Sequence, residues 1–184
     1  MTIQPKTVGV YLFINGLFAF AFGPNRHEGK LGIARFGGHI EANESIVECA
    51  LREVKEETTL DVLLVSSPIT YQIDSWDSRL MEVEDEGKEV KPILRFGQNV
   101  MFFARSNLEP KPWSETKGII LLSETELLRI CNSEVTYGDF IAWGGSRIVR
   151  NEYSKDYILQ PLGQMRFLAR LMQERPDILK NVYC

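Results

Sequence analysis

Residues 36–60 read FGGHIEANESIVECALREVKEETTL, and the spacing within them decides the fold. Ser45 followed by Glu48 has the form of a capping box, in which each side chain satisfies the other residue's backbone N–H. It predicts a helix from Ile46 to about Thr58. At about 100° per residue, Val47, Ala50, Leu51, Val54 and Thr58 share one face, which predicts burial against a sheet. Glu53, Glu56 and Glu57 fall on a neighbouring arc, because positions three and four apart adjoin on a helix. Like charges so placed repel by a few tenths of a kcal/mol per exposed pair. A solvated acidic face is the plainer account of three such glutamates. A divalent cation would reverse the sign of the interaction, since Mg²⁺ prefers hard oxygen ligands. Gly37-Gly38, just before the helix, lets backbone approach a ligand with no Cβ in the way.

Upstream, residues 8–22 are nearly all apolar and follow Lys6, which admits a secretory signal peptide. Against it, Asn15-Gly16 is a strong hairpin signal. Phe18, Phe20 and Phe22 also alternate with Ala19 and Ala21, a strand period. A β-hairpin is therefore expected.

Downstream, residues 62–65, 69–73, 100–104 and 118–122 are expected as strands. Ser123 to Glu126 is a second capping box, opening a helix through Ile130. Residues 82–91 (EVEDEGKEVK) form a charged insert, expected as a solvated loop or hairpin tip, with a functional lid as the alternative. Pro161 is expected as the first residue of a helix whose Leu162, Met165, Leu168 and Met172 share a face, ending before Pro176. With no internal repeat and no long linker, residues 1–184 are expected as a single domain with a C-terminal helical extension.

The 184 residues carry 21 Lys plus Arg against 25 Asp plus Glu, a formal net charge of −4, with no basic run. That argues against a partner in duplex nucleic acid or a membrane surface. Cys49, Cys131 and Cys184 are widely spaced, without a CxxC pair, which points to free thiols in a reducing compartment, the cytoplasm. With only His27 and His39 besides, a Cys/His zinc site is disfavoured.

The segment resembles the Nudix box, G-x5-E-x7-R-E-U-x-E-E-x-G-U, where U is a bulky aliphatic residue. Gly38, Glu44, Arg52, Glu53, Val54, Glu56, Glu57 and Leu60 stand at the matching positions. Six Gly, Glu and Arg matches at background frequencies of ~6–7% arise by chance about once in a hundred thousand chains. That outweighs the acidic-face account. Thr59 replaces the last Gly, and a β-branched residue in the left-handed cap position is strained by ~1–2 kcal/mol. The helix is therefore expected to end differently. Phe36 stands where many relatives have Pro.

The resemblance implies an α/β (α+β) Nudix fold, a mixed β-sheet sandwiched between helices. It implies a hydrolase cleaving a diphosphate bond in a nucleoside diphosphate derivative or nucleoside triphosphate, with Mg²⁺ or Mn²⁺ as cofactor and a small-molecule nucleotide as partner. Carried over by position, Glu53, Glu56, Glu57 and the Gly37 carbonyl would hold metal, with Glu44 and Arg52 orienting the cluster. Glu53 and Glu115, the latter on a later loop, are both candidates for the general base. His39 is a candidate phosphate contact, against an ordinary surface histidine. Trp76, Trp113 and Trp143 are expected in core or interface packing rather than stacked on a base. Residues 140–150 (FIAWGGSRIVR) are expected to shape the pocket or a homodimer contact. A non-catalytic nucleotide-binding or regulatory module is the alternative function; an isomerase sharing the fold is a weaker one. No accessory motif identifies the substrate.

Overall fold

The computed structural model describes residues 4–84 and 90–184. The chain opens with β1 (Thr7–Ile14) and β2 (Leu17–Pro24), antiparallel, with Leu12 opposite Ala19 and Ile14 opposite Leu17. Asn15 and Gly16 between them have φ of 47° and 90°, the two positive values that a type I′ turn requires. Residues 8–22 thus form a core hairpin rather than a signal-peptide helix. Alternation sends Phe18, Phe20 and Phe22 into one core and Ala19 into the other. Likewise Val8, Val10, Leu12 and Ile14 face one side of β1 and Tyr11 the other. A sheet buried on both faces needs a covering layer on each.

β3 (Lys30–Ala34) and β4 (Phe36–His39) are separated by Arg35 alone. β3 pairs with β2, placing Ala34 opposite Ala21, whereas β4 pairs with β1, placing Phe36 opposite Val10. Since β1 and β2 pair with each other only near their hairpin turn, the sheet divides at Arg35.

There follow α1 (Ile46–Thr58), β5 (Leu63–Val65), β6 (Thr70–Ile73), β7 (Met81–Val83), β8 (Leu94–Phe96), β9 (Asn99–Ser106), β10 (Gly118–Leu122) and α2 (Glu124–Asn132). The chain ends with α3 (Tyr137–Ala142), β11 (Ser146–Val149), β12 (Ile158–Pro161), α4 (Gly163–Glu174) and α5 (Pro176–Tyr183). The main path runs β11-β10-β2-β1-β9-β8-β6-β7, with β4, β5 and the β3–β12 pair attached to it. β1 and β9 are parallel along their whole length while most other pairs are antiparallel, so the sheet is mixed. α1 packs through Cys49, Ala50 and Val54 on one face. Residues of α2, α4 and α5 fill the other. The architecture is the expected α/β sandwich.

Three details differ from expectation. Pro161 ends a strand paired in parallel with β3, and α4 begins at Gly163; the proline that opens a helix is Pro176, at the first position of α5. Leu51 is 38% exposed, because the buried stripe of α1 is turned toward Cys49. The charged insert begins inside β7, which pairs with β6; residues 85–89, where its loop or tip was expected, lie outside the described residues. No helix among the described residues is long and apolar enough to cross a membrane. All three cysteines are free.

Candidate active site

α1 begins as expected. The Ser45 hydroxyl accepts from the Glu48 N–H (3.2 Å) and the Glu48 carboxylate accepts from the Ser45 N–H (2.8 Å). Just before the cap, Glu44 accepts a two-pronged pair of bonds from Arg52, from Nε at 2.7 Å and Nη2 at 3.0 Å. Such charge-assisted pairs fix orientation as well as energy. The Arg52 bonds hold the Glu44 carboxyl far below the usual range, at about 2. Arg52 also donates from Nη1 to Glu53 (2.9 Å) and Glu56 (3.2 Å), and from Nη2 to the His39 carbonyl (3.0 Å). One guanidinium thereby ties the helix to the end of β4.

Glu53 lies directly against Gly38, where a Cβ would collide with its carboxylate. Glu57 accepts the Gly37 N–H at 2.6 Å and the Thr116 hydroxyl at 3.3 Å. Gly37 has φ of 133°, a conformation that side chains rarely adopt, and it turns this N–H toward the helix. Burial, reinforced by the charge of Glu53, outweighs the Gly37 bond and pushes the Glu57 carboxyl up to about 7.

The end of α1 departs from expectation. Thr59 adopts the left-handed conformation (φ 64°, ψ 6°) that the family pattern gives to glycine, and its N–H still bonds the Lys55 carbonyl at 2.8 Å. The carbonyls of Thr58 and Glu57 accept from the N–H groups of Lys111 (2.9 Å) and Trp113 (3.0 Å). The loop before β10 is thereby stapled to the helix terminus, supplying donors to carbonyls that a helix end leaves open. Arg150 braces the same loop through the Pro112 and Ser114 carbonyls, each at 3.2 Å. As a result Glu57, Glu115, Thr116 and Lys117 line one cleft of about 340 Å³, over Ala21, Gly32 and Ala34.

The structure therefore brings together Gly37, Glu44, Arg52, Glu53, Glu56 and Glu57, with Glu115 exposed across the cleft. The His39 side chain is exposed, and its carbonyl is the group engaged. Trp76 packs against Phe96 and Gly163, and Trp143 beneath Arg129, as expected for packing residues. Trp113 is 63% exposed and so lies outside the core, because its backbone is fixed to the helix end and its ring is left outside.

As they stand, Glu53 and Glu56 turn toward Arg52 and Glu57 toward Gly37 and Thr116; among the described residues no three His, Cys, Asp or Glu side chains converge in ligating geometry. The donor set nevertheless fits a hard divalent cation. It offers carboxylate and backbone oxygens only, and it crowds a half-enclosed carboxylate against a second one, a repulsion such a cation relieves.

Sequence reasoning missed Arg35. Its side chain crosses β1 over Gly9, its Nη1 sits where a Gly37 Cβ would be, and Nη1 donates to the Phe36 carbonyl at 3.2 Å. Burial pulls its pKa down, against the opposing charge of Glu57. Two signals were available: a lone charge in the otherwise apolar GIARFGG, and Gly9 inside an apolar strand, which often marks close approach by another group.

The NUDIX domain family model matches residues 8–140, which include the helix, the glycine pair and the Glu115 loop. The chain belongs to the Nudix family and is a Nudix hydrolase. Among solved structures it is similar to a Nudix hydrolase from Nitrosomonas europaea, at 19% identity over 96% of this chain and 75% of that one, TM-score 0.50. It is similar also to a Nudix-family hydrolase from Clostridium perfringens, at 21% identity over 67% and 83%, TM-score 0.47. A third is an Ap4A hydrolase from C. elegans, at 11% identity over 67% and 83%, TM-score 0.44. No curated protein matches the sequence.

Proposed function

We propose that this hydrolase cleaves a diphosphate bond in a nucleoside diphosphate derivative or nucleoside triphosphate. Glu53, Glu56, Glu57 and the Gly37 carbonyl would hold Mg²⁺ or Mn²⁺, which when bound neutralises phosphate charge and acidifies a water. The single observation that carries this is the position of Glu57. Its carboxylate is bonded to the Gly37 N–H and opens onto the same cleft as Glu115.

Arg52 and Glu44 act as positioning residues. Their paired bonds hold Glu53 and Glu56 on one side of the helix, beside Gly38 and the end of β4. Two glutamates are offered for taking the proton of the attacking water. Glu53 is enclosed beside Gly38 and fixed by Arg52; Glu115 is exposed across the cleft on a loop tied to α1. His39, exposed at the end of β4, is a candidate phosphate contact. The same proposal takes residues 1–184 as a single domain, a small-molecule nucleotide as partner and the cytoplasm as location, in keeping with three free cysteines.

The test is release of phosphate products from a panel of nucleotides and nucleoside diphosphate derivatives with Mg²⁺ or Mn²⁺. Glu53→Gln and Glu57→Gln should each abolish most turnover. Activity untouched by both substitutions would sink the mechanism, and tight binding without turnover across the panel would replace it with a regulatory module.

A further inference from the structure

We propose that Arg35 is a substrate-binding residue, whose guanidinium receives a phosphate oxygen of the diphosphate where β3 and β4 part. This rests on the diphosphate chemistry proposed above and adds a contact from a residue outside the G-x5-E-x7-R-E-U-x-E-E-x-G-U pattern.

Three observations converge on it. The first is position. Ala34 pairs with Ala21 on β2 and Phe36 with Val10 on β1, so Arg35 sits where the pairing passes from one strand to its neighbour. The next residue but one, Gly37, gives its N–H to Glu57. Glu53 and Arg35 lie against the two adjoining glycines, Gly38 and Gly37, so only this thin strand separates the carboxylates from the guanidinium.

The second is the seat. Arg35 lies where side chains at Gly9 and Gly37 would have been. Glycine in a strand interior costs roughly 0.5–1 kcal/mol relative to alanine, and a partly enclosed guanidinium costs more unless its charge is used. Stability alone does not account for a glycine placed in β1 to admit an arginine.

The third is unspent hydrogen-bonding capacity. A guanidinium carries five N–H donors in a planar fork matched to phosphate. Among the described residues Arg35 makes one such bond, to the Phe36 carbonyl, and no direct ion pair with a carboxylate. Its remaining donors have no hydrogen-bond partner among the described residues, and its neighbour Ala34 lines the cleft that Glu57 and Glu115 share.

The test measures binding of methylenediphosphonate, whose P–C–P bridge is not hydrolysed, by calorimetry of the full chain with saturating Mg²⁺, alongside binding of Mg²⁺ alone. Arg35→Gln should weaken diphosphonate binding about ten- to a hundredfold, the range for losing a hydrogen bond to a charged group, and raise KM in parallel. Mg²⁺ binding should change less than about twofold. Arg35→Lys keeps the charge without the fork and should fall between. Gly9→Ala should reproduce the loss by filling the seat, and the Gly9→Ala/Arg35→Gln pair should be no worse than Arg35→Gln alone. Unchanged diphosphonate affinity in Arg35→Gln overturns the proposal. So does a parallel loss of Mg²⁺ affinity, which would make Arg35 a clamp on the Phe36–Gly37 peptide and nothing more. Arg35-dependent diphosphonate binding in a protein that hydrolyses no nucleotide would leave this inference standing and remove the proposed activity.

Discussion

The two longest helices, α1 and α4, cover opposite faces of one sheet and differ in what they bury. α4 contributes Met165, Phe167, Leu168, Ala169, Leu171 and Met172; α1 contributes Cys49, Ala50, Val54 and Thr58. Large side chains hold α4 through apolar area. Small ones let α1 lie close enough for Glu53 to touch Gly38 and Glu57 to reach the Gly37 N–H. Apolar stabilisation is concentrated on one face and the candidate chemistry on the other. Phe167→Ala should therefore cost about 3–5 kcal/mol, read by urea unfolding, with kcat per folded molecule unchanged. An equal loss of kcat would show that the faces are not separable.

Glu57→Gln should do the reverse. Activity should fall on the order of a hundredfold or more, the scale of losing one preorganised electrostatic contact. Melting temperature at pH 8 should hold or rise, because burial already disfavours the ionised Glu57 carboxyl. A variant that loses activity only as it unfolds would place Glu57 among the structural residues.

Legibility in the sequence follows the same division. α1 and both strands of the hairpin were readable because their signals are local: a capping box, a 3.6-residue period and an Asn-Gly turn between alternating residues. What failed depends on partners distant in sequence. Pro161 suits a helix start, but β3, some 130 positions upstream, draws it into a strand. Leu51 fits the helical period, yet the sheet takes Cys49 in its place. Arg35 acquires meaning only once β1 and β2 diverge around it, and no periodicity reports a divergence. The box glutamates were found by resemblance; the bonds of Glu57 to Gly37 and Thr116 were not.

The N-terminal end of α1 is held by charge where α4 is held by area, so acid should distinguish them. The Glu44 carboxyl titrates at about 2 in the folded chain against an ordinary 4.5. A folded pKa below the unfolded one gives stability that is fully present above about pH 4.5 and lost as pH falls through about 2. Glu44→Gln should cost about 1.5–3 kcal/mol at neutral pH, the worth of a hydrogen bond to a charged group. The gap from wild type should narrow in melts taken from pH 5 down to pH 3 and close only as pH falls through about 2, whereas the gap for Phe167→Ala should persist. Ala50→Leu probes the close approach directly. Overpacking by added methylenes should cost about 1–3 kcal/mol and lift Glu53 off Gly38, lowering kcat although Ala50 touches no carboxylate.

The smallest effect tests the helix's other end. Thr59 holds a left-handed backbone that costs a non-glycine residue about 1–2 kcal/mol. Thr59→Gly removes that strain but frees the unfolded chain, an opposing cost of about 0.5–1 kcal/mol. The balance favours the variant by about 0.5–1 kcal/mol, a rise of a few degrees at most for a chain of this size. The exposed Thr59 side chain makes no hydrogen bond among the described residues, so nothing else offsets the gain. Activity should stay within about twofold, because the Lys111 and Trp113 N–H groups that hold the Glu115 loop donate to the carbonyls of Thr58 and Glu57, not of Thr59. If Thr59→Gly instead lowers kcat while raising stability, the strained cap sets the position of that loop. Separation of stability from chemistry, expected between the two faces, would then fail within α1 itself.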